Sequence, residues 1–126
     1  MRILVAMDSF KGSCTAREAG EAVCRGMLRA MPDAEVCNVP VADGGEGTVA
    51  AIMGDGRGEW VSCDVTGPMG GAVTAGYGVM GGRCVMEMSA ASGLLLVEPS
   101  QRNPLVADTY GTGQLIRCAL DRKSVV

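Results

Sequence analysis

The hydrophobic pattern opens with Ile3-Leu4-Val5-Ala6, a short continuous apolar run of the kind that forms a parallel strand buried on both faces. The polar loop Met7-Asp8-Ser9-Phe10-Lys11-Gly12-Ser13 follows, and Thr15-Ala16-Arg17-Glu18 then fits a capping box at a helix start. Ala19, Val23, Met27 and Ala30, with Ala22 and Leu28 beside them, recur at helical spacing until Pro32 ends the helix. Glu35-Val36-Cys37-Asn38-Val39 reads as a second strand. It runs into Pro40-Val41-Ala42-Asp43-Gly44-Gly45-Glu46-Gly47-Thr48, and Thr48 to Met53 reads as a second helix. Residues 1–53 are therefore β-α-β-α, with right-handed crossovers expected.

After Gly54-Asp55-Gly56-Arg57-Gly58, a helix stop and loop, the period changes from helical to alternating. Val61, Cys63 and Val65 fall on one face of a strand, and Trp60, Ser62 and Asp64 on the other. Gly67 to Gly71 is a turn. Ala72 to Val79 and Arg83 to Met88 are strands around Gly81-Gly82, a hairpin signal. Glu87 to Leu94 places an acid, two hydroxyls and a glycine after a strand, where Ser89 and Ser92 either cap a helical turn or bind a ligand. Glu98-Pro99 and Asn103-Pro104 break regular structure. Thr109-Tyr110-Gly111-Thr112-Gly113 leads into a last helix with Leu115, Ile116, Ala119 and Leu120 at core spacing and Thr112 as its expected N-cap.

The chemistry concentrates on two loops. Open α/β sheets bind ligands outside the carboxyl ends of their strands, and both loops leave such ends. One offers Asp8, Ser9, Lys11 and Ser13; the other offers Asp43, Glu46 and Thr48 among glycines. With neighbouring strands ~5 Å apart, a lysine, two carboxylates and a glycine nest that converge suit a phosphate with Mg²⁺. Taken singly, the same residues also suit a tight βα turn with solvated acids and a solvated lysine. Arg102 is geometrically attractive as a clamp on a carboxylate or phosphate, although a lone arginine is most often a surface residue. Gly76-Tyr77-Gly78-Val79-Met80-Gly81 matches G-x-G-x-x-G literally, but it lies in a strand pattern that leads to another strand, so it is not a dinucleotide fingerprint. There is no P-loop motif.

Composition narrows this picture. The 126 residues suit a single domain on length, with 48% hydrophobic residues to form its core. A net charge of −3 without charge blocks makes nucleic acid and anionic membrane unnatural partners. The absence of histidine removes Ser-His-Asp and Cys-His catalysis and disfavours zinc, so acid–base work falls to carboxylates, lysine or tyrosine. The six cysteines are dispersed and never form C-x-x-C. With no signal peptide or long apolar span, the expectation is a cytoplasmic chain with reduced thiols.

Six blocks in order resemble the bacterial glycerate kinase family. They are Asp8 to Ser13, Val39 to Thr48, Thr66-Gly67-Pro68, Glu87 to Leu94, Arg102-Asn103-Pro104-Leu105, and Thr109 to Gly113 with Leu115-Ile116. Met7 stands where the family commonly has proline. The resemblance implies an α/β fold with a flavodoxin-like, parallel three-layer start and a strand-rich second part. It places a flavodoxin-like domain at residues 1–64 and the start of an incomplete second α/β domain at 65–126. Family chains are considerably longer, so the resemblance also implies an N-terminal, truncated piece.

By the same resemblance the activity is ATP- and Mg²⁺-dependent phosphorylation of D-glycerate to 2-phosphoglycerate. Lys11 and Asp43 are then the catalytic pair, with Asp43 also the Mg²⁺ ligand. Asp8, Ser9, Gly12, Gly44, Gly45, Glu46, Ser89, Arg102 and Thr112 bind substrate or phosphate. The alternative is a non-catalytic flavodoxin-like module holding a phosphorylated metabolite or nucleotide. Open strand edges also make self-association an expectation.

Overall fold

The computed structural model describes residues 1–54 and 56–123; Asp55 of the expected loop and the terminal Ser124-Val125-Val126 lie outside them. The chain is a mixed helix–strand protein with one parallel and one antiparallel sheet, divided into two compact units, Met1–Ala51 and Ile52–Val126. The boundary placed after residue 64 falls inside a continuous strand, Glu59–Thr66.

In the first unit β1 (Arg2–Val5) pairs in parallel with β2 (Glu35–Asn38), in the register Arg2↔Glu35 to Val5↔Asn38. Parallel strands need a crossover, which α1 (Ala16–Ala30) supplies. Its start is the expected capping box. The Thr15 hydroxyl accepts the Glu18 amide at 3.2 Å, and the Glu18 carboxylate accepts the Thr15 amide at 2.8 Å. The helix packs on β2 and β1 and buries Ala19 and Gly20; the Asn38 side chain fills the space that a Cβ at Gly20 would need. The ladder continues past the strands, with the Val39 amide donating to the Val5 carbonyl at 2.8 Å and Val41 to Met7 at 3.0 Å. The short helix α2 (Thr48–Met53) follows, as its sequence indicates, with its own Val49 buried and the division between the units falling within it.

The second unit is an antiparallel meander, order β3-β4-β5, with helices on one face. β3 (Glu59–Thr66), β4 (Ala72–Met80) and β5 (Arg83–Val85) show the expected alternation. Val61, Cys63 and Val65 face Tyr77, Ala75 and Val73 across the ladder, on the side that meets the core. The Gly81-Gly82 turn joins β4 to β5, with positive φ at both residues as the tight hairpin requires. The strand reading of Arg83 to Met88 is only partly right, because pairing stops at Val85. The G-x-G-x-x-G look-alike lies within β4 and its turn. There a Cβ at Gly76 would meet the Trp60 ring, and one at Gly78 would meet Met53.

α3 (Ser89–Ser92) and α4 (Tyr110–Lys123) close the core, in which Val65, Ala75, Tyr77, Ala91, Leu115 and Ala119 are buried together. Two 3₁₀ turns, Leu94–Leu96 and Pro99–Gln101, connect the helices. α4 is fixed to β3 at three levels. The Thr66 amide donates to Gln114 Oε1 at 2.6 Å, Arg122 Nη2 donates to both oxygens of Glu59 at 2.6 and 2.7 Å, and Cys63 is joined to Cys118 by a disulfide. The disulfide corrects the expectation that all thiols are reduced. The two cysteines are 55 positions apart, and only the packing of α4 on β3 brings them together. Cys14, Cys24, Cys37 and Cys84 are free thiols. Among the described residues no helix is long and apolar enough to cross a membrane.

Candidate functional site

The Val41–Met7 hydrogen bond is the last rung of the parallel ladder, and it fixes where both candidate loops begin. Asp8 and Ala42 each stand one residue beyond it, so the Asp8–Ser13 and Asp43–Gly47 loops leave the same sheet end side by side. This is the geometry expected from the alternation of apolar runs and polar turns.

The first loop is a tight turn closed on itself. The Phe10 amide donates to the Cys14 carbonyl at 2.9 Å, and Ser13 donates back to the Phe10 carbonyl at 2.8 Å. Lys11, Gly12 and Ser13 therefore form its exposed tip. At its base Asp8 Oδ1 accepts the Ser9 amide at 2.6 Å. Lys11 is thus an exposed cation on a backbone that is held.

The second loop reverses direction at Gly44, whose φ of 102° is costly for any residue with a Cβ. Asp43 Oδ1 accepts the Gly45 amide at 2.9 Å, so the carboxylate folds over its own loop. Thr48 Oγ1 donates to the Gly45 carbonyl at 2.8 Å and ties the loop to α2. Gly45 thus differs from the expected free phosphate donor: its N–H already holds an anionic oxygen, that of Asp43. Glu46 is exposed beside it.

The remaining candidates belong to the second unit. Ser89 opens α3 without capping it, which corrects the capping reading: Met88 precedes the helix and no side chain caps it. The Ser89 hydroxyl oxygen is buried with no hydrogen-bond partner among the described residues. The Ser92 and Thr112 hydroxyls meet at 2.8 Å and join α3 to the first turn of α4. Thr112 is not the N-cap, because α4 already begins at Tyr110, whose amide donates to Asp108 Oδ1 at 2.9 Å. Arg102 is exposed and its Nε donates to the Val97 carbonyl at 3.1 Å, so it braces the turn that carries it. A shallow groove of about 590 Å³ runs along α4, lined by Tyr110, Gln114, Arg117 and Asp121 among others; none of the candidate residues lines it.

The sequence reading missed the contacts that hold this frame, Gln114–Thr66, Arg122–Glu59 and Ser92–Thr112. All three are long-range pairs that no local pattern signals; Ser92 and Thr112 stand out in the sequence as hydroxyls, but not as partners of each other.

Fold and loops together define a mixed α/β chain whose two parallel strands both run out into polar, glycine-bearing loops at the same sheet end. The chain belongs to the glycerate kinase family, whose model matches residues 3–125. It is 51% identical over 123 residues to a glycerate kinase of Bacillus subtilis (strain 168), covering 96% of this chain and 32% of that one. It is 46% identical over 123 residues to the glycerate 2-kinase of Escherichia coli (strain K12), with the same shares covered. A crystal structure described as a glycerate kinase 2 from Salmonella typhimurium LT2 superposes with a TM-score of 0.69 at 47% identity, over 96% of this chain and 33% of that one. The chain thus spans about a third of the length of the relatives it matches.

Proposed function

We propose that this chain carries the phosphate-handling part of a glycerate kinase site, in a flavodoxin-like setting, for transfer of a phosphoryl group from ATP to the C2 hydroxyl of D-glycerate. Phosphoryl transfer relies on positioning and charge neutralisation more than on covalent chemistry by the protein. The observation that carries the reading is the Val41–Met7 rung, which starts the lysine loop and the acidic glycine loop side by side. The position named by the Escherichia coli relative supports C2 over C3. The cytoplasm suits an ATP-using enzyme of this kind.

In this reading Lys11 and the Gly12 and Gly44 amides hold phosphate oxygens. Gly45 joins them when Asp43 releases its amide. The Asp43 carboxylate, exposed at the sheet end, would then be free to hold Mg²⁺ or to accept the glycerate hydroxyl proton. Among the described residues no group of three or more metal-ligating side chains comes together. This donor set suits Mg²⁺, which takes one or two carboxylates and fills its other positions with phosphate oxygens and water. Asp43, with Glu46 beside it, would hold the ion, which when bound neutralises charge on the phosphates. Asp8 fixes the Ser9 amide, and Ser9 and Gly12 complete the phosphate contacts.

The test is Lys11→Ala and Asp43→Ala in an intact family enzyme carrying this segment. Each is expected to lower kcat about a hundredfold or more and, because both side chains are exposed, to leave the Tm nearly unchanged. Unaltered turnover in both variants refutes the assignment. Thermal stabilisation by ATP without glycerate-dependent turnover would favour the non-catalytic binding module instead.

A further inference from the structure

Gln114, Cys118 and Arg122 follow one another at four-residue spacing, so they form a single stripe along α4. The stripe meets β3 at Thr66, Cys63 and Glu59, which makes the disulfide the middle of three ties. The outer two are a hydrogen bond to a backbone amide and a two-pronged ion pair. Leu115 and Ala119, buried in the shared core, hold the helix as well. Breaking the middle tie therefore leaves α4 docked, which separates this bond from a staple on which a fold depends. Both cysteines are half-buried at the rim of the core, but their surroundings differ. Cys63 stands on the core-facing side of β3 with Val61 and Val65. Cys118 lines the groove along α4 with Tyr110, Gln114, Arg117 and Asp121.

We propose that Cys63–Cys118 is a site of thiol–disulfide exchange, in which a small anionic thiol enters the α4 groove and attacks Cys118 Sγ. Displacement at sulfur is in line, so access selects the sulfur that is attacked, and the groove opens at Cys118. The incoming thiolate bonds to Cys118 Sγ and the bond to Cys63 breaks. Cys63 leaves as a thiolate and takes up the proton that the incoming thiol gave up. A second small thiol then attacks the small-molecule sulfur of this mixed disulfide, releasing Cys118 as a thiol and the small molecule as its own disulfide. Two small thiols are thus oxidised and one protein disulfide is reduced; the small disulfide drives the reverse. Arg117 supplies the preference for an anion. It meets Asp121 at 3.6 Å with both side chains largely exposed. Such a pair is worth little, so a carboxylate carried by the thiol can take the place of Asp121. The inference rests on the disulfide and the groove, and not on the proposed reaction.

The test incubates the oxidised 126-residue chain with graded ratios of reduced to oxidised glutathione, quenches by alkylation and maps each cysteine by peptide mass spectrometry. Oxidised and reduced chains are expected to interconvert across these ratios. The transient mixed disulfide is expected on Cys118, in about tenfold or greater excess over Cys63. The reduced chain is expected to keep a cooperative unfolding transition, with amide exchange at residues 115–121 faster by about tenfold. Arg117→Ala is expected to slow reduction by glutathione about threefold or more and to leave reduction by mercaptoethanol, a neutral thiol, unchanged. A mixed disulfide on Cys63, a bond that yields only after denaturation, or loss of the folded state on reduction overturns the proposal. An equal effect of Arg117→Ala on both thiols overturns the assignment of an anionic ligand.

Discussion

Gly111 and Gly113 stand two positions apart in one helix and answer to different constraints. A Cβ at Gly111 would strike the backbone carbonyl of Thr66, because the first turn of α4 lies directly on the end of β3; one at Gly113 would meet open space. Gly111→Ala is therefore expected to cost about 1–3 kcal/mol, as overpacking against rigid backbone does. Gly113→Ala is expected to be neutral or to gain up to about 1 kcal/mol through helix propensity. Denaturant unfolding of the two variants checks both signs. The sequence shows a glycine-rich helix start but cannot tell the two glycines apart, since the difference lies in a strand 45 positions away in the chain. Thr112 fails as an N-cap for a similar reason. Asp108 takes the Tyr110 amide first, and Thr112 is left to bond across to Ser92. The candidate loops were legible as loops because they follow apolar runs. That Asp43 closes on Gly45 was not, since an Asx turn depends on a rotamer rather than on a pattern.

Among the elements, α1 is the one whose boundaries sequence and structure share most closely, because its signals are local. The Thr15–Glu18 box, the apolar spacing and Pro32 all act within a few residues. Thr15→Ala is expected to destabilise the protein by about 1 kcal/mol. The Thr15 amide, and after it the Thr15 hydroxyl, hold the Glu18 carboxyl below its ordinary pKa. A lowered folded-state pKa stabilises above the unfolded value and is lost as pH falls through the folded one. The stability difference between wild type and Glu18→Gln should therefore shrink on acidification and vanish below the folded-state pKa, as denaturant titrations across that range would show. A difference that grows with acid would contradict the capping box. β3 and β4 were also legible, since alternation and the Gly81-Gly82 turn fix their register. Ser89 and Ser92 were not, because hydroxyls after a strand read more readily as a helix cap than as a ligand loop, and neither caps α3.

For the whole molecule, the order of elements could be read from the chain, whereas the division at Ala51/Ile52 and the Cys63–Cys118 bond could not. Both are set by which surfaces meet. Closing a loop of 55 residues, the disulfide is expected to contribute about 2–4 kcal/mol. Alkylation of the unreduced, denatured chain should label the four free cysteines and no others, and reduction should expose two more while lowering the Tm. Six labelled thiols before reduction would contradict that bond. The central claim, that this segment supplies the phosphate-handling loops of a glycerate kinase, is tested most directly in a chimera in which this chain replaces the matched third of the Bacillus subtilis relative, by following ADP release from ATP and Mg²⁺ with and without D-glycerate. The account predicts glycerate-dependent turnover that Lys11→Ala lowers by about a hundredfold or more in a protein of unchanged Tm. A folded chimera without turnover, or one that Lys11→Ala leaves fully active, would contradict it.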